Sequence, residues 1–208
     1  MNVELRPLRR DELTLAAGIA ARALGDNPIN RAIYGDDPRR RVRETEAGFR
    51  TVLPALQCPP LGAYREGRLV GVVGVAPPGT CKPSLPRQLR MLPSLLRHGF
   101  GNLARESLVV NTWARHDPRD PHWHLDPVVV EPGQQGLGIG TLMMERFRAW
   151  MDSVQGAAYL ETDKPENVAF YRKFGFETVG EVAVLGTTTW LMYRTPRTPA
   201  GQAADAGM

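Results

Sequence analysis

Cysteine is scarce in this chain. Its 208 residues contain two, Cys58 and Cys81, which lie far apart and form no CxxC pair. A disulfide-rich fold needs several cysteine pairs, and a structural zinc site needs clustered ligands, so neither is expected, and both thiols are predicted to be reduced. No stretch approaches the ~20 apolar residues of a membrane helix, and the first residues lack the apolar core of a signal peptide. The sequence therefore predicts a soluble cytoplasmic protein with no membrane partner.

Blocks of basic residues are missing as well. The net charge is +4, but the arginines are spread along the chain, and the short run Arg39 to Arg41 has only three residues. Segments that bind nucleic acids usually cluster five or more basic residues, so no nucleic-acid partner is expected. A mild positive field still favours a polyanionic small molecule. Length and composition are those of one globular domain with a sizeable core.

The first half of the chain shows alternating strand and helix patterns. Val3 to Arg6 alternates as a first strand, and Asp11 is placed to cap a helix that reaches Ala23. Residues 25–43 contain two Asx-Pro turn signals and are predicted to be loop-rich before a second helix over 42–53. Two apolar runs joined by a glycine turn predict a β-hairpin over residues 62–75.

Two further segments have weaker patterns. Spaced leucines over residues 83–105 predict one or two short amphipathic helices, interpreted as a lid over the acceptor site. The last residues, 195–208, are rich in Pro, Ala and Gly and are predicted to be a disordered tail. Residues 1–194 are therefore predicted to form a single domain.

The second half begins with a strand over 123–130 that Pro127 interrupts, which indicates an edge strand, a bulge or a splayed ladder. Five more elements follow it along the chain: helices over 138–151 and 165–174, and strands over 157–161, 176–184 and 187–193. This mixed order predicts an α+β fold in which helices flank one twisted sheet.

A glycine-rich run connects the interrupted strand to the next helix. Gly136, Gly138 and Gly140 would leave several backbone N–H groups open at a helix N-terminus, which is a general cradle for a pyrophosphate. The run lacks the Gly-Lys-Ser/Thr ending of a Walker A loop, and its GxGxG spacing does not fit the Rossmann pattern GxGxxG. A tight turn without a ligand remains as the alternative.

The same run resembles the GNAT superfamily of N-acetyltransferases, whose pattern Q/R-x-x-G-x-G/A is met by Gln135, Gly138 and Gly140. The strand before it and the stretch from Asn167 to Phe176 after it stand in that family's order. Within the superfamily the chain is most similar to the puromycin N-acetyltransferase type, through three short segments: Pro121-His122-Trp123, Leu160-Glu161-Thr162 and Thr189-Trp190.

This resemblance implies a single GNAT-like α+β domain with a central twisted mixed sheet, mostly antiparallel. It also implies acetyl-CoA as acyl donor and a small-molecule primary amine as acceptor, with direct attack in a ternary complex; a homodimer is possible. The alternatives are a protein N-terminus or lysine as acceptor, or a non-catalytic acyl-CoA sensor. No metal is expected, because the histidines and aspartates of 116–124 match no metal-binding spacing.

The resemblance also implies the cofactor residues. The backbone of the interrupted strand would hold the pantetheine arm, the glycine turn would hold the pyrophosphate, and the helix after Pro165 would face the cofactor. The expected set is Val128, Val129, Val130, Gln134, Gln135, Gly136, Gly138, Gly140, Thr141, Asn167 and Phe170.

Acetyl transfer to an amine needs a neutral nucleophile and a leaving thiolate that is stabilised or protonated. In the resembled family Tyr171 would protonate the thiolate; packing of this ring against the sheet is the alternative. The general base stays open. His124 stands where some family members carry a catalytic glutamate, and an imidazole suits a base near neutral pH. Asp126 and Glu161 are the other candidates, and a chain of waters could replace all three.

Overall fold

Seven strands form one sheet in the computed structural model, which describes residues 2–80 and 100–196. The strands are β1 Val3–Pro7, β2 Leu61–Arg65, β3 Arg68–Ala76, β4 Trp123–Val130, β5 Ala158–Thr162, β6 Glu177–Val184 and β7 Thr187–Arg194. Their order in the sheet is β1-β2-β3-β4-β5-β7-β6, and only the β4–β5 pair is parallel. The predicted α+β fold with a mixed, mostly antiparallel sheet is confirmed, and so is the hairpin β2–β3.

Six α-helices of the described ranges cover the sheet. They are α1 Leu13–Leu24, α2 Pro28–Tyr34, α3 Pro38–Val52, α4 Phe100–His116, α5 Ile139–Ser153 and α6 Pro165–Arg172. Helices α5 and α6 pack on the face that carries Val73, whereas α1 and α3 pack on the face that carries Val72. Neighbouring strand residues point to opposite faces, so β3 is buried on both sides. None of the described helices meets the length and apolarity needed to cross a membrane.

The prediction of a loop-rich segment over residues 25–43 is wrong. Pro28 and Pro38 each lie in the first turn of a helix. The missing proline N–H costs nothing there, and the fixed φ suits the helix. The two prolines therefore start α2 and α3 instead of breaking them.

The prediction that Asp11 caps α1 is also wrong. Asp11 lies inside a 3-10 turn, Arg10–Glu12, that precedes the helix. The carboxylate of Glu12 accepts a hydrogen bond from the backbone N–H of Arg9 at 2.8 Å. Glu12 thus satisfies an open donor at this end, which is the chemistry expected of a capping residue.

Most of the predicted lid over 83–105 lies outside the described residues. Its last part, from Phe100, begins α4, which continues to His116 and contacts α2 and β6. The helical prediction therefore stops eleven residues short of the helix end. The predicted tail lies outside the described residues from 197 onward, and Cys81 is outside them as well.

A buried arginine of α3 joins the two short loops on either side of α2. The side chain of Arg41 is only 4% exposed. It donates to the carbonyls of Gly25 at 2.7 Å, Gly35 at 3.1 Å and Asp36 at 2.7 Å, and it also pairs with the carboxylate of Asp26. One guanidinium fork thus satisfies carbonyls from both loops, and the placement of α2 depends on it.

Replacing Arg41 by alanine is expected to lower the free energy of unfolding by about 2–3 kcal/mol, because three charge-assisted hydrogen bonds to carbonyls are lost together and the buried carbonyl of Gly25 loses its partner. Urea unfolding followed by circular dichroism measures this loss. Arg39→Ala, at an exposed position of the same helix, is the matched control and should stay within about 0.5 kcal/mol of the parent. Equal midpoints for the two variants would contradict the proposed anchoring.

Candidate active site

Strands β4 and β5 run together only briefly and then separate. They pair at Trp123 and His124 and at no later position of β4. Pro127 lies just beyond this point, and the ladder with β3 is irregular opposite it, between Val73 and Val75. Gly74 is required there, because a Cβ would lie 2.4 Å from the carbonyl oxygen of Asp126. The splayed ladder predicted at Pro127 is confirmed, on a strand that is central in the sheet.

Because the two strands separate, every second residue of β4 points its backbone N–H and carbonyl groups toward an open gap. The N–H of Glu131 bonds to the carbonyl of Val70 at 2.9 Å. In an antiparallel ladder the direction of these groups alternates, so Val129 also faces β3. Val128 and Val130 then face the gap, where the carbonyl of Val130 accepts a hydrogen bond from the Gln135 side chain at 3.1 Å.

The glycine turn borders the same gap. Gly136 and Gly138 have φ of 76° and 77°, the left-handed region that favours glycine. Gly138 stands immediately before α5, so the first N–H groups of this helix point out of its end. At Gly140 an added Cβ would lie 3.5 Å from the Phe170 ring, an ordinary contact distance.

A cleft of about 610 Å³ lies between the turn, β4 and α6. The structure brings every expected cofactor residue to it: Val128, Val129, Val130, Gln134, Gln135, Gly136, Gly138, Gly140, Thr141, Asn167 and Phe170. The backbone of Val129 is turned toward β3, so this residue contributes to the wall of the cleft. Open N–H groups and a positive helix end make the cleft suited to a phosphate-bearing ligand.

A second cleft, of about 350 Å³, meets the first one at Tyr171, Asn167 and Val128. His124 and Asp126 line this second cleft. The three predicted catalytic residues therefore lie together, and Tyr171 stands where the two clefts join.

The protein surroundings shift the pKa values of two groups at this junction, Tyr171 and Asp126. Burial raises the pKa of the Tyr171 hydroxyl above its ordinary value, and the negative charge of Asp126 raises it further. Asp126 is exposed, yet desolvation by the protein around it raises the pKa of its carboxyl. Nearby His124 opposes this rise, and the negative charge of Glu161 adds to it. Tyr171 thus stays protonated at neutral pH and can donate a proton.

His124 forms a pair with Glu161. Its Nε2 lies 2.8 Å from a carboxylate oxygen of Glu161, whose side chain is only 6% exposed. A carboxylate accepts hydrogen bonds, so Nε2 is assigned the proton that it donates to Glu161. Glu161, one of the candidate bases, is therefore placed as the partner that orients His124.

A further polar group lies beside this pair. Atoms of Asp117, His122 and His124 lie within 4.8 Å of one another. His122 has an oxygen partner at each ring nitrogen, the carbonyl of Asp120 at 2.8 Å and the carboxylate of Asp117 at 3.1 Å. Both imidazole rings contact the edge of Tyr159 at 5.5 Å between centroids. We interpret His122 and Asp117 as supports for the wall behind His124.

Sequence reasoning missed the residue that places α2 against the cleft. Asp163 accepts from the Asn27 side chain at 3.0 Å and from the backbone N–H of Ile29 at 2.8 Å. The carboxylate is buried and satisfies open donors at the start of a helix. The Asn27-Pro28 pair was a signal for that helix start, but no local signal indicates Asp163.

Sequence reasoning also missed several lining residues, among them an aromatic and a basic one. Trp113 of α4 lines the second cleft, and Lys164, just before α6, lines the first. Trp113 lies in the part of α4 beyond residue 105, which the leucine pattern did not cover. A single lysine next to a proline has no distinguishing pattern in the sequence.

The chain matches the family model described as the acetyltransferase (GNAT) family over residues 28–176. Solved structures share its fold at low sequence identity. A Corynebacterium glutamicum protein described as histone acetyltransferase HPA2 and related acetyltransferase has a TM-score of 0.71 and 20% identity, and the match covers 96% of this chain and 99% of that one.

Two other structures cover nearly the whole chain. The polyamine N-acetyltransferase of Drosophila melanogaster has a TM-score of 0.59 and 13% identity, with 92% of this chain and 98% of that chain covered. The PaiA N-acetyltransferase of Thermoplasma acidophilum, in complex with coenzyme A, has a TM-score of 0.57 and 14% identity, with 94% and 99% covered. At these identities the likeness concerns the fold.

Proposed function

The chain belongs to the acetyltransferase (GNAT) family of acetyl-CoA-dependent acyltransferases, and on this premise we propose that it acetylates a primary amine of a small molecule. One observation carries the proposal. A cleft rich in open backbone N–H groups and a cleft lined by an imidazole and carboxylates meet at a single buried tyrosine, Tyr171. A donor on one side and an amine on the other would react at this junction.

On the donor side, acetyl-CoA supplies the acetyl group as a thioester. The backbones of Val128 and Val130 would hold its pantetheine arm, because they face the gap between β4 and β5. The left-handed Gly136 and Gly138 and the start of α5 would hold its pyrophosphate. Asn167 would contact the arm from the opposite wall, although its amide now donates to Thr162 at 3.1 Å.

On the acceptor side, His124 would take the proton of the attacking amine. Glu161 orients the ring and stabilises the imidazolium that forms, as a carboxylate does for a catalytic histidine. Asp126, which lines the same cleft, would attract the incoming ammonium. The amine then attacks directly, and Tyr171 would give its proton to the leaving sulfur.

Within the family we propose the puromycin N-acetyltransferase type. Two of the segments that carry this resemblance contribute to the acceptor cleft. Glu161 orients His124, and Thr189 accepts a hydrogen bond from the Trp113 indole at 3.3 Å. One segment thus lines this cleft and the other contacts its wall through Trp113, and these two placements are the support for the proposed type.

The proposal is tested first by thermal unfolding with acetyl-CoA, coenzyme A or NAD, followed by thiol release with a panel of small amines. Acetyl-CoA at 100 times its Kd should stabilise the protein by about 2.7 kcal/mol, and NAD should not. Stabilisation together with thiol release is the expected result. Binding without thiol release from any amine would point to a sensor, and no stabilisation by either CoA species would overturn the proposal.

Replacing His124 by alanine is expected to lower kcat/KM about 10²-fold near neutral pH, the usual contribution of a positioned base. The variant should also lose the rise of kcat/KM across the neutral range, because that rise reports loss of a proton from the base. A pH–rate profile measures both effects. His116→Ala, at an exposed position of α4, is the matched control. A rise that persists in His124→Ala but disappears in Asp126→Asn would assign the base to Asp126.

Replacing Tyr171 by phenylalanine is expected to lower kcat about 10²-fold while the Kd of acetyl-CoA stays within about twofold, because only the hydroxyl is removed. Because the pKa of Tyr171 is raised, its hydroxyl should stay protonated, and the kcat of the parent should stay high, well into the alkaline range. Stopped-flow thiol release gives kcat, and calorimetry gives the Kd. An unchanged kcat and pH profile would show that this ring only packs against the sheet.

A further inference from the structure

We propose that the acceptor is an amine on an apolar or aromatic body that carries no carboxylate. This inference rests on the proposed function, because it concerns the cleft that would receive the amine. Two independent features of that cleft support it: the apolar composition of its outer wall and the single sign of its charged residues.

One face of α4 forms the outer wall. Val110, Trp113, Ala114 and Asp117 line the cleft, and their spacing of three and four residues places them on the same side of the helix. Val110 is 60% exposed, one of the most exposed large apolar residues in the described chain. Such a side chain lining a concave cleft is typical of a ligand-binding surface.

Other elements extend this wall. Phe49 of α3 and Leu24 of α1 line the same cleft. The indole N–H of Trp113 bonds to Thr189, which is fully buried. That bond holds the ring in one orientation, so it offers a fixed apolar surface at low entropic cost. An acceptor without an apolar body would leave this wall in water.

The charged residues of the cleft have one sign. Asp117, Asp126, Glu161 and Asp163 line it together with His124, and no lysine or arginine of the described chain does. This contrasts with the net charge of +4. Carboxylates on ligands are usually recognised by arginine or lysine. An acceptor carboxylate would find no such partner here and would meet Asp126 and Glu161, whereas an ammonium is attracted.

The first arm of the test compares four acceptors with the parent protein: phenethylamine, ethylamine, L-phenylalaninamide and L-phenylalanine. We expect kcat/KM for phenethylamine to exceed that for ethylamine by about 10- to 100-fold, since its phenyl ring would bury apolar surface against this wall. The kcat/KM for L-phenylalanine should be at least about 100-fold lower than that for its amide, which has nearly the same size and no negative charge.

The second arm uses two exposed apolar residues of α4. Val110→Ser should lower the ratio of kcat/KM for phenethylamine over ethylamine by about 3- to 10-fold. Leu108→Ser is the matched control, because Leu108 is 49% exposed but does not line the cleft, and it should leave the ratio unchanged. Both positions face solvent, so neither variant should disturb folding.

Each result decides a definite point. Equal kcat/KM values for L-phenylalanine and its amide would overturn the charge argument. Equal ratios of kcat/KM for phenethylamine over ethylamine in Val110→Ser and Leu108→Ser would overturn the proposed role of the apolar wall. If acetyl-CoA binds but no amine of the panel releases thiol, the proposed transferase function fails, and this inference fails with it.

Discussion

The short parallel pairing of β4 with β5 is the constraint on which the whole site depends. Two residues of β4 hold the strands together, and the chain then departs at Pro127, where Gly74 leaves room for it. Past that point the sheet leaves backbone donors and acceptors without strand partners. Burying such groups unpaired would be costly, so the opening is stable only where water or a ligand satisfies them.

The two clefts use opposite electrostatics. The cleft at the glycine turn is bordered by backbone N–H groups and the positive end of α5, which act as fixed partial charges without any side chain. The cleft lined by His124 contains carboxylates and the pair formed by His124 and Glu161. Tyr171 lies at their border, where low access to water and the charge of Asp126 keep its hydroxyl protonated. A polyanion and a cation can therefore be held a short distance apart.

The cleft lined by His124 is also tied to the placement of α2, whose residues Ile29 and Asn30 line it. Asp163 holds the start of α2, and Arg41 holds the loops at its two ends. Both anchors are buried and charged, and their partners are mainly backbone groups. Hydrogen bonds of this kind fix direction as well as distance, so these two residues set the position of α2 beside the cleft.

The sequence by itself determined the parts that depend on local conformation. The strand interrupted at Pro127, the glycine turn and the helix that carries Asn167 and Tyr171 follow from periodicity and from the φ values that proline and glycine allow. The tertiary structure alone decided which side chains meet. Glu161 reaches His124 across 37 residues of chain, and Asp163 reaches Asn27 across 136. Nothing in a local pattern specifies such distant partners, because they are brought together by strand order and helix packing.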